Sequence, residues 1–449
     1  MIFKDQSQFL LVAAASLTLA SCSILPDFGR KAKAEATAEE KAGRIDLAIG
    51  DQALEVDPAY VDVAVILPDT RRLPDWKQSG AGATKVVGHV DAAPEFVIDW
   101  RVKVAGGTDR SGALTSAPVS DGTNIYLLDG EQRVKSISGA NGATNWAVKL
   151  ESGRRRDKRS VGGGIAVNGD TLYVSSGFGF VVAMDASTGA EKWRRPLGTP
   201  VTGAPSYKDD HVYVITQNNE VFALSQETGQ VEWSDQAIAE SARVLAAPSV
   251  AAVEDLVVAP FSSGEVIAYL GANGRRLWNE GLSRSGRFTP ISSINDIASR
   301  PVLSQGLVYA ASQSGLLAAI DARTGRRVWA QSIGSVHAPA LIGEYLFIAG
   351  VDGEIACIAV NTGSVVWVNE LQAFKNTKKK RGRISYAGPV VSQNRVIVAS
   401  SEGELISISA QTGEEITRLN IKDSVFLEPI VVGDRLIILT DEGRLIAVR

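Results

Sequence analysis

From about Phe96 to the C-terminus, short apolar runs alternate with polar punctuation, and the period is that of β-strands rather than helices. Runs such as Leu172-Tyr173-Val174, Val212-Tyr213-Val214 and Leu307-Val308-Tyr309 are β-branched and aromatic, the composition of buried strands. In Gly264-Glu265-Val266-Ile267-Ala268 and Gly403-Glu404-Leu405-Ile406-Ser407, polar and apolar side chains take opposite faces. Alternating strands lead to a turn signal, Asp/Asn-x-x-Thr-Gly as in Asp185 to Gly189 and Asp321 to Gly325, and then to a strand bearing tryptophan. Ahead of seven of the runs stands a proline step: Ala117-Pro118, Ala204-Pro205, Ala247-Pro248, Arg300-Pro301, Ala338-Pro339, Gly388-Pro389 and Glu428-Pro429. The pattern predicts four strands per unit.

The unit recurs. Gly142 precedes Trp146 by four residues, and the same spacing joins Gly189 to Trp193, Gly229 to Trp233, Gly274 to Trp278, Gly325 to Trp329 and Gly363 to Trp367. A seventh copy, Gly413 to Thr417, keeps the frame without the indole. From Trp100 onward the steps range from 38 residues (Trp329 to Trp367) to 51 (Trp278 to Trp329). Four-stranded propeller blades occupy roughly 40 to 50 residues, and helical solenoid repeats lack the strand alternation. Eight alternating third strands can be counted; the last, Arg444-Leu445-Ile446-Ala447-Val448, ends at the C-terminus with no outer strand after it. Trp100 lies in a strand (Phe96 to Val104) with no inner strands before it. The expected fold is therefore all-β: an eight-bladed β-propeller of four-stranded antiparallel blades, closed by pairing the N-terminal strand with the C-terminal one.

Trp100, Trp146, Trp193, Trp233, Trp278, Trp329 and Trp367 occupy equivalent places. They are read as scaffold packed between blades, since a single bound ligand would not need a ring of equivalent stackers. Trp76, in Leu73-Pro74-Asp75-Trp76-Lys77-Gln78-Ser79-Gly80, stands outside the register and is expected to cover one face of the ring.

The N-terminus supplies an address. Lys4 precedes an apolar stretch from Phe9 to Ala20, too short to span a bilayer and typical of a secretory signal. It ends in Leu19-Ala20-Ser21-Cys22, which resembles a bacterial lipobox, so Cys22 is the expected site of lipidation after cleavage. The expected organisation is a lipoprotein signal over residues 1–21, a lipidated flexible tether over 22–69 rich in Ala, Glu, Asp and Lys, and the propeller over 70–449. Cys357, the other cysteine, sits in an apolar run and reads as core.

A net charge of −4 argues against a general polyanion-binding role, and no nucleic-acid partner is expected. Two basic clusters, Arg154-Arg155-Arg156-Asp157-Lys158-Arg159 and Lys375 through Arg383, fall between an outer strand and the next inner strand. They suit either anionic headgroups and acidic partners or plain solvation. His89, His211 and His337 show no metal-ligand spacing, and no nucleophile elbow, phosphate loop or calcium loop occurs. No catalytic residue, cofactor or metal site is expected.

Asp185-Ala186-Ser187-Thr188-Gly189-Ala190-Glu191-Lys192-Trp193 and Asp321-Ala322-Arg323-Thr324-Gly325-Arg326-Arg327-Val328-Trp329 resemble the repeat first named from pyrroloquinoline-quinone enzymes. Those dehydrogenases bind quinone and calcium on the ring axis and commonly carry a disulfide between adjacent cysteines. This chain has no such cysteine pair and no recognisable calcium-ligand set, which leaves a periplasmic quinoprotein dehydrogenase as the second reading. Eight such repeats joined to a lipobox resemble the BamB family, the propeller lipoproteins of the outer-membrane β-barrel assembly machinery. That resemblance implies a non-enzymatic scaffold, anchored to the outer membrane and facing the periplasm. It implies docking on a periplasmic POTRA domain of the barrel subunit and help in inserting nascent outer-membrane proteins.

The family's docking residues carry over in part. Arg243, five residues before Pro248, holds the place of an arginine, though Glu240 and Ala242 stand where the family has leucines. Asp296 matches the first of two aspartates, and Ala298 replaces the second. The long Leu282-to-Ala298 connection adds Phe288, Ile291, Ile294 and Ile297, apolar groups unusual for a solvated loop. Arg243, Asp296, Phe288 and Ile294 are thus the expected partner contacts. The alternative is that the apolar groups fold down to cap the ring and that Arg243 and Asp296 form an ordinary surface ion pair.

Overall fold

In the first seven repeats the alternating strand pairs with its neighbours on both sides and a Thr-Gly or Asn-Gly turn sends the chain back, so a four-stranded antiparallel sheet forms locally. The computed structural model describes residues 54–449 except 62, 110–111, 154–158, 241–243, 245 and 283–294. Among the described residues lie eight four-stranded sheets and one two-stranded hairpin. Blade 1 comprises Val119–Ser120, Asn124–Leu128, Arg133–Ser138 and Thr144–Lys149, and blades 2 to 7 repeat the plan. Blade 8 takes Ile430–Val432, Arg435–Leu439 and Arg444–Val448 from the C-terminal end and its outer strand, Ile98–Lys103, from the N-terminal side. The closing register sets Trp100 opposite Ala447 and Lys103 opposite Arg444. The eight-bladed ring closed by its two ends is as the repeat arithmetic requires.

The apolar cores lie between blades. One cluster joins Leu128 and Val134 of blade 1 to Ile165 and Val174 of blade 2; another joins Tyr213 and Ile215 of blade 3 to Val257 and Ile267 of blade 4. Each sheet is thus buried on both faces, which accounts for its near-continuous apolar inner strands.

The Gly-x-x-x-Trp spacing has a physical cause visible only across the blade boundary. Each indole rests on the turn glycine of the following blade: Trp100 on Gly142, Trp146 on Gly189, Trp233 on Gly274, Trp367 on Gly413. Six indoles also donate to the carbonyl three residues ahead of that glycine, among them Trp193 Nε1 to Gln226 O (2.9 Å), Trp233 to Gly271 O (2.7 Å) and Trp278 to Ala322 O (2.8 Å). Trp100 makes the packing contact, but its Nε1 is buried without an acceptor. The missing eighth indole follows from closure. Blade 7 would have to place a tryptophan on a turn between the third and fourth strands of blade 8, and those strands come from opposite ends of the chain. With no receiving glycine, Thr417 stands in that place.

The stretch from Arg71 to Ala93 threads across the bottom of the ring and bonds to inner-strand ends in turn. Trp76 exchanges two backbone hydrogen bonds with Ser120 of blade 1 (2.9 and 2.8 Å). Lys77 O accepts from Val167 of blade 2, Ala83 O from Ala252 of blade 4 and Thr84 O from Leu303 of blade 5. Val90 donates to Val391 O of blade 7 and Ala93 to Asp434 O of blade 8. Trp76 is 1% exposed, so this segment is a floor integral to the ring. Upstream, Asp57 N donates to Val365 O of blade 6, and Val65 is buried in the cluster between blades 6 and 7. The part of the expected tether from Leu54 onward therefore lies against the propeller.

Candidate functional site

The connections from each outer strand to the next inner strand gather on the face opposite the floor. There the chain builds a well of about 330 Å³ on the ring axis. Its walls are the residues leading into the inner strands, and its base includes Ser79 of the floor segment. At five of the seven proline steps the residue before the proline lines the well, three of them the alanines Ala117, Ala247 and Ala338. Arg300 and Glu428 occupy the same place in blades 5 and 8, and they meet there as an ion pair with side chains 10% and 11% exposed. A pair so buried must be mutually satisfied, because either charge alone would face a large desolvation cost.

Two further groups crowd this pair. Lys85 of the floor, fully buried, donates to Gln78 Oε1 (3.2 Å) and Ser206 Oγ (2.8 Å). Burial pushes its ammonium well below the ordinary lysine range, the Arg300 charge adds to this, and Glu428 opposes it. The His337 imidazole lines the well and is lowered to about 4; burial is the main cause, Glu428 opposes it and Arg300 reinforces it. The ring is only partly exposed, at the wall of the well, so the neutral form is the one to expect at pH 7. Neither Lys85 nor the Arg300–Glu428–His337 grouping was visible in the linear sequence. The available signal was the replacement of alanine by Arg and Glu at two of the proline steps.

On the rim, Asp296 is buried, 4% exposed, and its carboxylate accepts from Val244 N at 2.7 Å. It ties the connection between blades 3 and 4 to that between blades 4 and 5 and does not present a free carboxylate. Ile297 is fully buried, in the core with Val258, Trp278 and Leu303, so it belongs to the cap rather than to an exposed apolar loop. Arg243, Phe288, Ile291 and Ile294 lie outside the described residues, as do Cys22 and Arg154 to Lys158. The tryptophans of the ring sit between blades and away from the well's lining.

The well can be tested against a quinone–calcium centre by its donors. Glu428 is the one carboxylate of its lining and is engaged by Arg300. Among the described residues no three His, Cys, Asp or Glu side chains stand together as a metal set. Cys357 is buried in blade 6 with its thiol pushed up by burial, and no second cysteine is near it among the described residues. The residues present do not fit that cofactor.

Comparison with known families matches residues 130–369 and 351–449 to the model described as outer membrane protein assembly factor BamB. The chain belongs to the BamB family. It is 26% identical over 337 residues to the outer membrane protein assembly factor BamB of Yersinia pestis, covering 74% of this chain and 83% of that one. The protein of the same name from Escherichia coli K12 is 23% identical over 348 residues, with 77% and 86% covered. An uncharacterised protein of Rickettsia conorii is 29% identical over 290 residues (64% and 69%). Among solved structures, BamB from Moraxella catarrhalis superposes with a TM-score of 0.63 at 19% identity, covering 78% of this chain and 99% of that one. Quinohemoprotein alcohol dehydrogenase from Comamonas testosteroni reaches 0.65 at 13% identity (88% and 82%). At such identities a superposition reports the shared propeller and no more.

Proposed function

We propose that this protein is a non-enzymatic scaffold of the outer-membrane β-barrel assembly complex. In this reading it docks on a POTRA domain of the barrel subunit and aids insertion of nascent outer-membrane proteins. The observation that carries the reading is the BamB family match, which runs from within blade 1 to the C-terminus. The hub supports it: the axis position where a quinoprotein would place its cofactor holds an arginine and a glutamate that neutralise each other. The signal over 1–21, the acylated Cys22 and a tether would hold the ring at the outer membrane on its periplasmic side. Docking is assigned to the rim between blades 3 and 5, where Asp296 fixes the connection that follows Arg243. Arg243, Phe288 and Ile294 are the contacts, and Asp296 sets the position of their support.

The decisive experiment is affinity purification of the lipidated protein in mild detergent, with identification of what accompanies it. Recovery of the barrel subunit is expected; its absence under conditions that retain the lipoprotein in the outer membrane would reject the scaffold. A quinoprotein would instead reduce dye after reconstitution with quinone and calcium, and a scaffold would not.

A further inference from the structure

Between blades 6 and 7 the connection builds its own small sheet. Phe374–Asn376 pairs with Arg381–Arg383, setting Phe374 opposite Arg383 and Asn376 opposite Arg381. The base is fastened to the ring. Arg383 Nη1 donates to Val351 O and to Asp352 Oδ1, both at 2.7 Å, and its guanidinium lies over the Phe374 ring at 5.1 Å. Lys375 pairs with Glu402 at 2.7 Å, and Tyr386 OH donates to Gln372 O at 2.9 Å. These contacts absorb the acidic groups nearby. At the tip, Lys378, Lys379, Lys380 and Arg381 stand consecutively, all exposed, and among the described residues no carboxylate pairs with any of them. A fixed base under an unneutralised tip is a poised charge, not a loose basic tail.

A neighbouring side chain indicates what the tip meets. Phe426, in the connection between blades 7 and 8, is 46% exposed and shares the rim of the well with Arg383, so an exposed apolar ring stands on the same rim as the base of the hairpin. Lysines on flexible stems beside an aromatic ring suit a diffuse sheet of phosphates over an apolar layer. A protein partner would be expected to recruit arginine and aromatic anchors in a desolvated pocket, with lysine depleted. We propose that this hairpin, with Phe426, is a contact site for anionic phospholipid headgroups, seating the ring on a membrane surface independently of its acyl anchor.

The test uses the mature chain carrying Cys22→Ser, so that no acyl group contributes, and sedimentation with vesicles of phosphatidylcholine alone or with about one-third phosphatidylglycerol. Binding is expected to the anionic vesicles alone and to weaken as salt is raised. K378A/K379A/K380A should lower the partition coefficient about a hundredfold, about fivefold per lysine. F426A should lower it a further few-fold without changing the salt dependence. All four side chains are exposed, so the variants should unfold at the wild-type temperature. Failure to bind anionic vesicles, or equal binding by the triple variant, overturns the proposal. So does a triple variant that retains vesicle binding while losing a co-purifying acidic protein, which would reassign the hairpin to that protein.

Discussion

Gly274→Ala and Trp233→Ala should be strongly coupled although they belong to different blades. Gly274 sits at φ +71, and a Cβ there would lie 2.6 Å from two atoms of the Trp233 indole. The left-handed backbone alone costs an alanine about 1 kcal/mol. Forcing a 7%-exposed indole to move adds about 1 to 3 kcal/mol, since it is held by Gly271 O and by the rings of Tyr213 and Tyr269, 5.8 and 5.6 Å away. Trp233→Ala removes the obstacle but leaves a cavity, at about 3 to 5 kcal/mol. In the double variant only backbone strain remains to be added, so its destabilisation should fall short of the sum by about 1 to 3 kcal/mol. Gly306→Ala is the control: φ is +76 there, yet nothing lies within 4 Å of the added carbon. It should cost about 1 kcal/mol and add independently to Trp233→Ala. Urea unfolding followed by far-ultraviolet circular dichroism measures the wild type and the five variants without depending on indole fluorescence. Additivity of Gly274→Ala and Trp233→Ala to within about 0.5 kcal/mol would refute the interlock as the reason for the Gly-x-x-x-Trp spacing.

Glu428→Ala strands Arg300 in the hub and should cost about 3 to 5 kcal/mol in the same assay, whereas Glu428→Ala with Arg300→Ala should recover much of that loss; equal costs would show the pair to be solvated. His337 has a folded pKa of about 4, below its unfolded value, so between about pH 6.5 and 4 the unfolded chain binds the extra proton and stability falls on acidification. His337→Gln should flatten that part of the stability–pH curve by about 2 to 3 kcal/mol, and an unchanged curve would place the acid sensitivity elsewhere. Arg243→Glu should reduce recovery of the barrel subunit with an unchanged unfolding midpoint. Asp296→Ala, by releasing Val244 N, should reduce both together; undiminished recovery in the two variants would reject the blade 3–5 rim.

What the linear chain determined here is whatever is settled within one repeat or by counting repeats. Strand alternation, proline steps and Thr-Gly turns act over a few residues, so the four-stranded blade is legible locally. The count of eight, with one strand of a blade on the N-terminal side and three at the C-terminal end, leaves closure as the way to pair both edges. Even the loss of the indole at Thr417 is written in the sequence, but its reason appears only when blade 8 is seen to lack the receiving turn. Tertiary structure alone decided the hub. Lys85, Arg300, His337 and Glu428 lie in the floor and in blades 5, 6 and 8, and their meeting depends on the ring's closing rotation, which no local pattern encodes. The same holds for Asp296 and Ile297: whether a loop residue faces a partner or the core depends on neighbouring elements, here Val244 N on the Asp296 carboxylate and the core between blades 4 and 5 around Ile297. Side-chain period specifies which face of a strand is apolar, but which charges share the axis is a property of the closed circle.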